Sequence, residues 1–118
     1  MMILNKTKNE MVVSKTRFAD SSWKKFRGLM FEKRERFDYA LVFDFGRETQ
    51  WGASIHMLFV FFPIDLIYLN EKKQVVDLQE SVLPWTLNYT PTKPARYLIE
   101  MPLENGKKIS LGDQLEWK

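Results

Sequence analysis

Residues 54–70, SIHMLFVFFPIDLIYLN, limit the fold more than any other stretch of this chain. They form an apolar run broken by Pro63 and resumed behind it. Proline has no amide proton to give a central strand, so the chain must turn, bulge or run at an edge there. The run therefore predicts two short strands, 54–61 and 64–70, rather than one long one. Its longest unbroken apolar stretch, 57–62, is far below the roughly 20 residues of a membrane-spanning helix.

Similar short runs, rich in branched and aromatic residues, recur at 39–45 (YALVFDF), 74–81 (QVVDLQES), 96–101 (RYLIEM) and 114–117 (QLEW). The polar turn 70–73 predicts an antiparallel hairpin between its flanking strands. Residues 2–4 and 11–13 read as a first hairpin. Asp20, Ser21 and Ser22 are a helix-start signal, because their oxygens can accept the amide protons of a first turn. Trp23, Phe26, Leu29 and Met30 follow at helical spacing, so the expectation is a short amphipathic helix over 22–30 packed on the sheet through Trp23, Phe26 and Met30. Gly28 lies inside that pattern and marks close packing or the helix end. No repeat, linker or low-complexity tract divides 118 residues, and a hydrophobic share of 45% supports one core. The fold class expected is mainly β (α+β): a single domain over 1–118, built as a small antiparallel barrel or sandwich with one short helix near the N-terminus.

Composition excludes much chemistry. The chain has no cysteine and one histidine, His56. Thiol nucleophiles, disulfides and closed zinc sites are excluded, and neither a metal site nor a cofactor is expected. Phosphate-loop and dinucleotide-binding glycine arrays are absent, and no catalytic signature is present. The start, MMILNKTKNE, turns polar after four residues, and the expected location is the cytoplasm with no membrane partner. The net charge of +3 is uneven, because residues 1–36 hold ten Lys/Arg against four Asp/Glu. The stretch 23–36 interleaves these cations with rings, as nucleic-acid binders do. Glu32 and Glu35 dilute it and no recognition motif accompanies it, so nucleic acid is disfavoured as a partner.

Four polar residues stand inside or beside apolar strands. Asp65 lies two residues past the Pro63 break. A carboxylate among apolar neighbours needs partners, so Asp65 is expected to be buried and to accept at least two hydrogen bonds, from backbone amides or from Arg96. A structural role is favoured over a catalytic one. His56 shares a strand face with Ser54, a weak hint of a nucleophile and base. Arg96 and Glu100 share a face of the strand 96–101. Arg96 is read either as part of a solvated face or as a fork for an anion. The function expected is a non-enzymatic binding module for a small-molecule ligand, with a polar pocket near the Pro63 corner lined by His56, Asp65, Arg96 and Glu100. The alternatives are a hydrolase using a carboxylate general base, and a protein that docks its basic surface on nucleic acid or an acidic partner.

The order of these features carries a resemblance. Gly28-Leu29-Met30 after a polar helix start, a Phe-rich strand, His56-Met57 leading to Pro63-Ile64-Asp65, then Pro84, then Ala95-Arg96-Tyr97-Leu98-Ile99-Glu100, and Gly112-Asp113 together resemble the domain-of-unknown-function 192 family, also known as uncharacterised protein family 0127. The match runs from about residue 10 to the end. The resemblance implies a small, single-domain, β-rich protein with no established activity, cofactor or catalytic set. The family often has Trp-Met where this chain has His56-Met57, which speaks against an essential catalytic histidine. A shortened stretch before Gly106 implies a trimmed loop ahead of the last strand.

Overall fold

The structure is a computed structural model describing residues 1–118 apart from the side chains of Ser22 and Trp23. Two sheets carry the fold. β1 (Ile3–Asn5) and β2 (Glu10–Val13) form the N-terminal hairpin, and β8 (Leu115–Trp117) pairs with β1 on its other side. The larger sheet holds β3 (Thr16–Ala19), β4 (Ala40–Thr49), β5 (Ile64–Leu69), β6 (Val75–Val82) and β7 (Ala95–Met101) in the order β3-β4-β7-β5-β6. The expected sandwich is borne out and no barrel closes. β5 and β6 form the expected antiparallel hairpin, whose turn is tied by Asn70 Oδ1 accepting the amides of Lys72 and Gln74. One pair departs from the antiparallel expectation: β3 runs parallel to β4. Its sequence, TRFA, is too short and too exposed to show alternation.

Strand alternation gives the larger sheet two buried faces. Val42, Ile67, Leu69, Ile99 and Met101 point toward the small sheet and meet Ile3, Val12, Val13 and Leu115. Leu41, Phe43, Leu66, Tyr68 and Leu98 point the other way, under a cover that includes Leu29, Phe37, Met57, Val60 and Phe62. β7 lies between β4 and β5 and is thus enclosed on both edges and both faces.

The α-helix, α1, spans Ser22–Arg27. Ser21 Oγ caps it by accepting the Lys24 amide at 3.1 Å. Gly28, at φ +50°, ends it sooner than the expected Met30, in a backbone conformation that L side chains rarely adopt. The expected packing face is corrected as well. Leu29, not among the three expected, is buried, whereas Phe26 is largely exposed and Met30 only half-buried; Trp23 lies outside the described side chains. The strand expected over 54–61 does not form. A 3₁₀ turn, Trp51–Ala53, and a single bridge between Ile55 and Tyr89 replace it. The loop 83–89 takes its backbone partners: Met57 donates to the Thr86 carbonyl and accepts from the Trp85 amide. Phe59, at φ +58°, then turns the chain off any strand path.

Asp65 sits on β5, buried, on the face toward the small sheet. Its two oxygens serve different segments. Oδ1 accepts the Ser81 amide at 2.8 Å and Oδ2 accepts the Gly106 amide at 2.9 Å. The two hydrogen bonds expected are present, and both come from backbone amides rather than Arg96. Gly106 lies in the 3₁₀ turn Asn105–Lys108, which follows β7 on the way to β8. A Cβ there would stand 2.8 Å from Oδ2, so only glycine allows the approach.

Asp65→Ala leaves two amides without acceptors and is expected to destabilise the domain by about 1–3 kcal/mol in chemical denaturation. Asp65→Asn sets an amide group against a backbone N–H at one of the two contacts, so its loss falls between wild type and Asp65→Ala. Gly106→Ala, which pushes the carboxylate away, should reproduce much of the Asp65→Ala loss.

Candidate functional site

Glu100 follows Leu98 on the helix-side face of β7 and is 4% exposed. Among the described residues its Oε1 has no hydrogen-bond partner. A carboxylate in that position is costly, so burial holds the proton on it and pushes its pKa up to about 8. Gly28 lies over the carboxyl: a Cβ on Gly28 would sit 3.6 Å from Oε1 and 3.7 Å from Phe43 Cζ. Tyr68, opposite Leu98 on β5, does not satisfy Glu100, since its hydroxyl donates to the Ala53 carbonyl at 2.8 Å. Burial, with the Glu100 charge next, pushes the Tyr68 phenol above its ordinary pKa.

The carboxyl borders a cavity of about 220 Å³. Phe43, Phe45 and Phe26 supply apolar wall, Ser54 and His56 close one side, and Lys25, Arg27 and Gly28 close another. His56 therefore meets Glu100 at one cavity, although 44 positions separate them in the chain. Its Nδ1 accepts the Leu58 amide at 3.2 Å, and its ring lies 6.0 Å from that of Phe26. The Ser54 hydroxyl is bonded to Thr90 Oγ1 at 2.7 Å and not to His56, so the Ser–His hint has no hydrogen bond behind it.

The other two residues singled out in the sequence lie elsewhere. Asp65 is on the opposite face of the sheet with both oxygens engaged. Arg96 is at the far end of β7, where its guanidinium holds Asp44 at 3.1 and 3.3 Å and Glu71 at 3.5 Å. The hollow beside Pro63 is lined by Arg34, Phe37, Phe62, Pro102 and Leu103, and includes none of the four. A larger hollow of about 640 Å³ lies on the other side of Gly28. Most of its polar groups are matched: Tyr39 donates to Glu32 at 2.7 Å, Arg17 lies 4.1 Å over the Tyr39 ring, and Lys24 pairs with Asp20. Its one buried orphan, the Thr16 hydroxyl, costs less to bury than a carboxyl. No group of three or more metal-ligating side chains occurs among the described residues. No helix among them is long and apolar enough to cross a membrane.

A two-sheet β domain with a capping helix and, among the described residues, one buried carboxyl whose Oε1 lacks a partner defines a class of fold and not a reaction. The chain belongs to the uncharacterised domain-of-unknown-function 192 family, described as "Uncharacterized ACR", whose model matches residues 3–117. A UPF0127 protein of Pyrococcus furiosus is 43% identical over 118 residues, covering 98% of this chain and 97% of that protein. A UPF0127 protein of Thermococcus kodakarensis is 42% identical over 98% of this chain and 73% of its own length. A protein of unknown function from Novosphingobium aromaticivorans shares the fold, with a TM-score of 0.82 at 18% identity over 98% of this chain and 82% of that one.

The ionisation of Glu100 predicts a pH dependence of stability. The unfolded chain releases this proton near the ordinary glutamate pKa of about 4.3, and the folded chain only at about 8. The folded state thus binds more protons between those values, and stability falls as pH rises through that window. Glu100→Gln removes the ionisation. The variant is expected to lose that downward slope and to melt above wild type near pH 8, as read by thermal denaturation across the window.

Proposed function

We propose that this domain is a non-enzymatic binding module for a small molecule, held in the cavity between Gly28, Phe45, His56 and Glu100. The unpartnered Glu100 carboxyl carries the reading, because a buried polar group without a partner awaits one. The cavity is smaller than the roughly 300–1,000 Å³ of pockets for drug-sized ligands, so the ligand is a small metabolite. In its neutral form Glu100 donates a hydrogen bond, and Lys25 and Arg27 make the surroundings positive. This combination favours a ligand with an apolar body against the phenylalanine rings and a carboxylate or carbonyl oxygen facing Glu100.

A hydrolase with a carboxylate base has less support. At neutral pH Glu100 holds its proton and is a poor base. Asp65 and Glu100 point to opposite faces of the sheet and do not oppose each other across a cleft.

A thermal-shift panel of small monocarboxylates, amides and primary amines tests the proposal, since a ligand of the folded form raises the melting temperature. Carboxylates or amides should stabilise the wild type near pH 6, and the shift should fade above about pH 8 as Glu100 ionises. Glu100→Ala should abolish the shift. Glu100→Gln keeps a donor and should retain the shift without its pH dependence. Stabilisation by amines alone that grows with pH, or a carboxylate shift untouched in Glu100→Ala, would overturn the assignment.

A further inference from the structure

Three separate segments bring aromatic side chains to one patch of surface. Phe31 follows α1, Phe59 and Phe61 precede β5, and Trp85 lies in the loop after β6. The rings touch in sequence: Phe31 stacks on Phe59 at 5.0 Å, Phe59 meets Trp85 edge-on at 4.9 Å, and Trp85 meets Phe61 at 5.7 Å. Yet Phe31, Phe59, Phe61 and Trp85 remain 60%, 40%, 59% and 45% exposed. The cluster is built rather than incidental. The Phe31 amide donates to the Phe59 carbonyl at 2.9 Å, and Phe31, Phe59 and Trp85 all hold positive φ, from +58° to +64°. Such backbone is strained for residues other than glycine and persists where the surroundings enforce it.

Two further observations narrow the partner. Leu83 and Leu87, on either side of Trp85 in the chain, are also exposed. Aliphatic side chains stack on no base but enter hydrocarbon readily. The turn just beyond Phe31 presents Lys33, Arg34 and Arg36 against one carboxylate, Glu35, all exposed, and no ion pair among the described residues engages the three cations. Arg34 also borders the hollow at Phe62 and Pro63, next to Phe61. Free cations flanking exposed Phe, Trp and Leu suit the boundary between anionic headgroups and acyl chains.

We infer that the Phe31–Phe59–Phe61–Trp85 patch, with Lys33, Arg34 and Arg36, docks this domain on an anionic lipid bilayer as a peripheral protein. The sequence suggested no membrane partner because its apolar runs are too short to span one. A patch gathered from three segments leaves no such run.

Co-sedimentation of the full chain with vesicles tests the inference. Vesicles of equimolar phosphatidylglycerol and phosphatidylcholine should carry the wild type down. Pure phosphatidylcholine should bind it at least tenfold more weakly, since each basic residue near an anionic surface contributes about 1 kcal/mol. Phe31→Ser/Phe61→Ser should weaken binding to the mixed vesicles at least tenfold. Lys33→Ala/Arg34→Ala/Arg36→Ala should remove the preference for anionic lipid. Circular dichroism confirms that each variant is folded. If the double serine variant does not fold, Phe61→Ser alone serves, since that ring is exposed. A wild type that stays in the supernatant with both vesicles overturns the inference. It is overturned equally if the same substitutions abolish single-stranded DNA binding or self-association while leaving vesicle binding unchanged.

Discussion

Enclosure of the strand β7 is the constraint on which the rest of the structure depends. With β4 and β5 on its edges and an apolar layer on each face, no side chain in its centre reaches bulk water. Leu98, Ile99 and Met101 answer that environment in the ordinary way, by apolar burial at about 25 cal/mol per Å². Glu100 does not, and every unusual property of the site follows. The carboxyl keeps its proton, Gly28 closes over it at ordinary van der Waals distance, and the space beside it remains open.

The two buried carboxyl groups on the adjacent strands β5 and β7 therefore do opposite things. Asp65 has one oxygen for each of two backbone amides and ties the end of β6 to the turn that leads into β8, so it joins the two sheets. Glu100, paired with Leu66 beside Asp65 in the ladder, points the other way, and its Oε1 meets no donor among the described residues. One residue of register separates a latch from an open site, because alternate positions on a strand face opposite layers.

Much of the architecture was legible in the sequence for local reasons. The strands β4 to β8 and the β1–β2 hairpin announce themselves by branched and aromatic runs between polar turns. The Pro63 break and its dependent aspartate were readable because both effects act within a few residues. What was hidden is what depends on distant partners. The segment 54–61 has the composition of a strand, but the loop 83–89 takes its backbone hydrogen bonds. His56 and Glu100 were singled out separately, and nothing in their spacing shows that they meet under Gly28. The Phe43 and Phe45 walls could have been found from their shared face on β4, and Gly28 from its place in a helical pattern. Phe26, expected in the core, stands at the cavity instead because Gly28 ends the helix and leaves Leu29 to fill the core.

The central claim is that Glu100 is a neutral acid in the folded protein, held so by burial without a partner. Direct titration of its side-chain carboxyl by ¹³C NMR, with Glu100→Gln to assign the resonance, tests this most directly. The account predicts a midpoint near 8, far above the ordinary glutamate value of about 4.3. A Glu100 that titrates at the ordinary value would show that the carboxyl is solvated or paired, and would contradict the account.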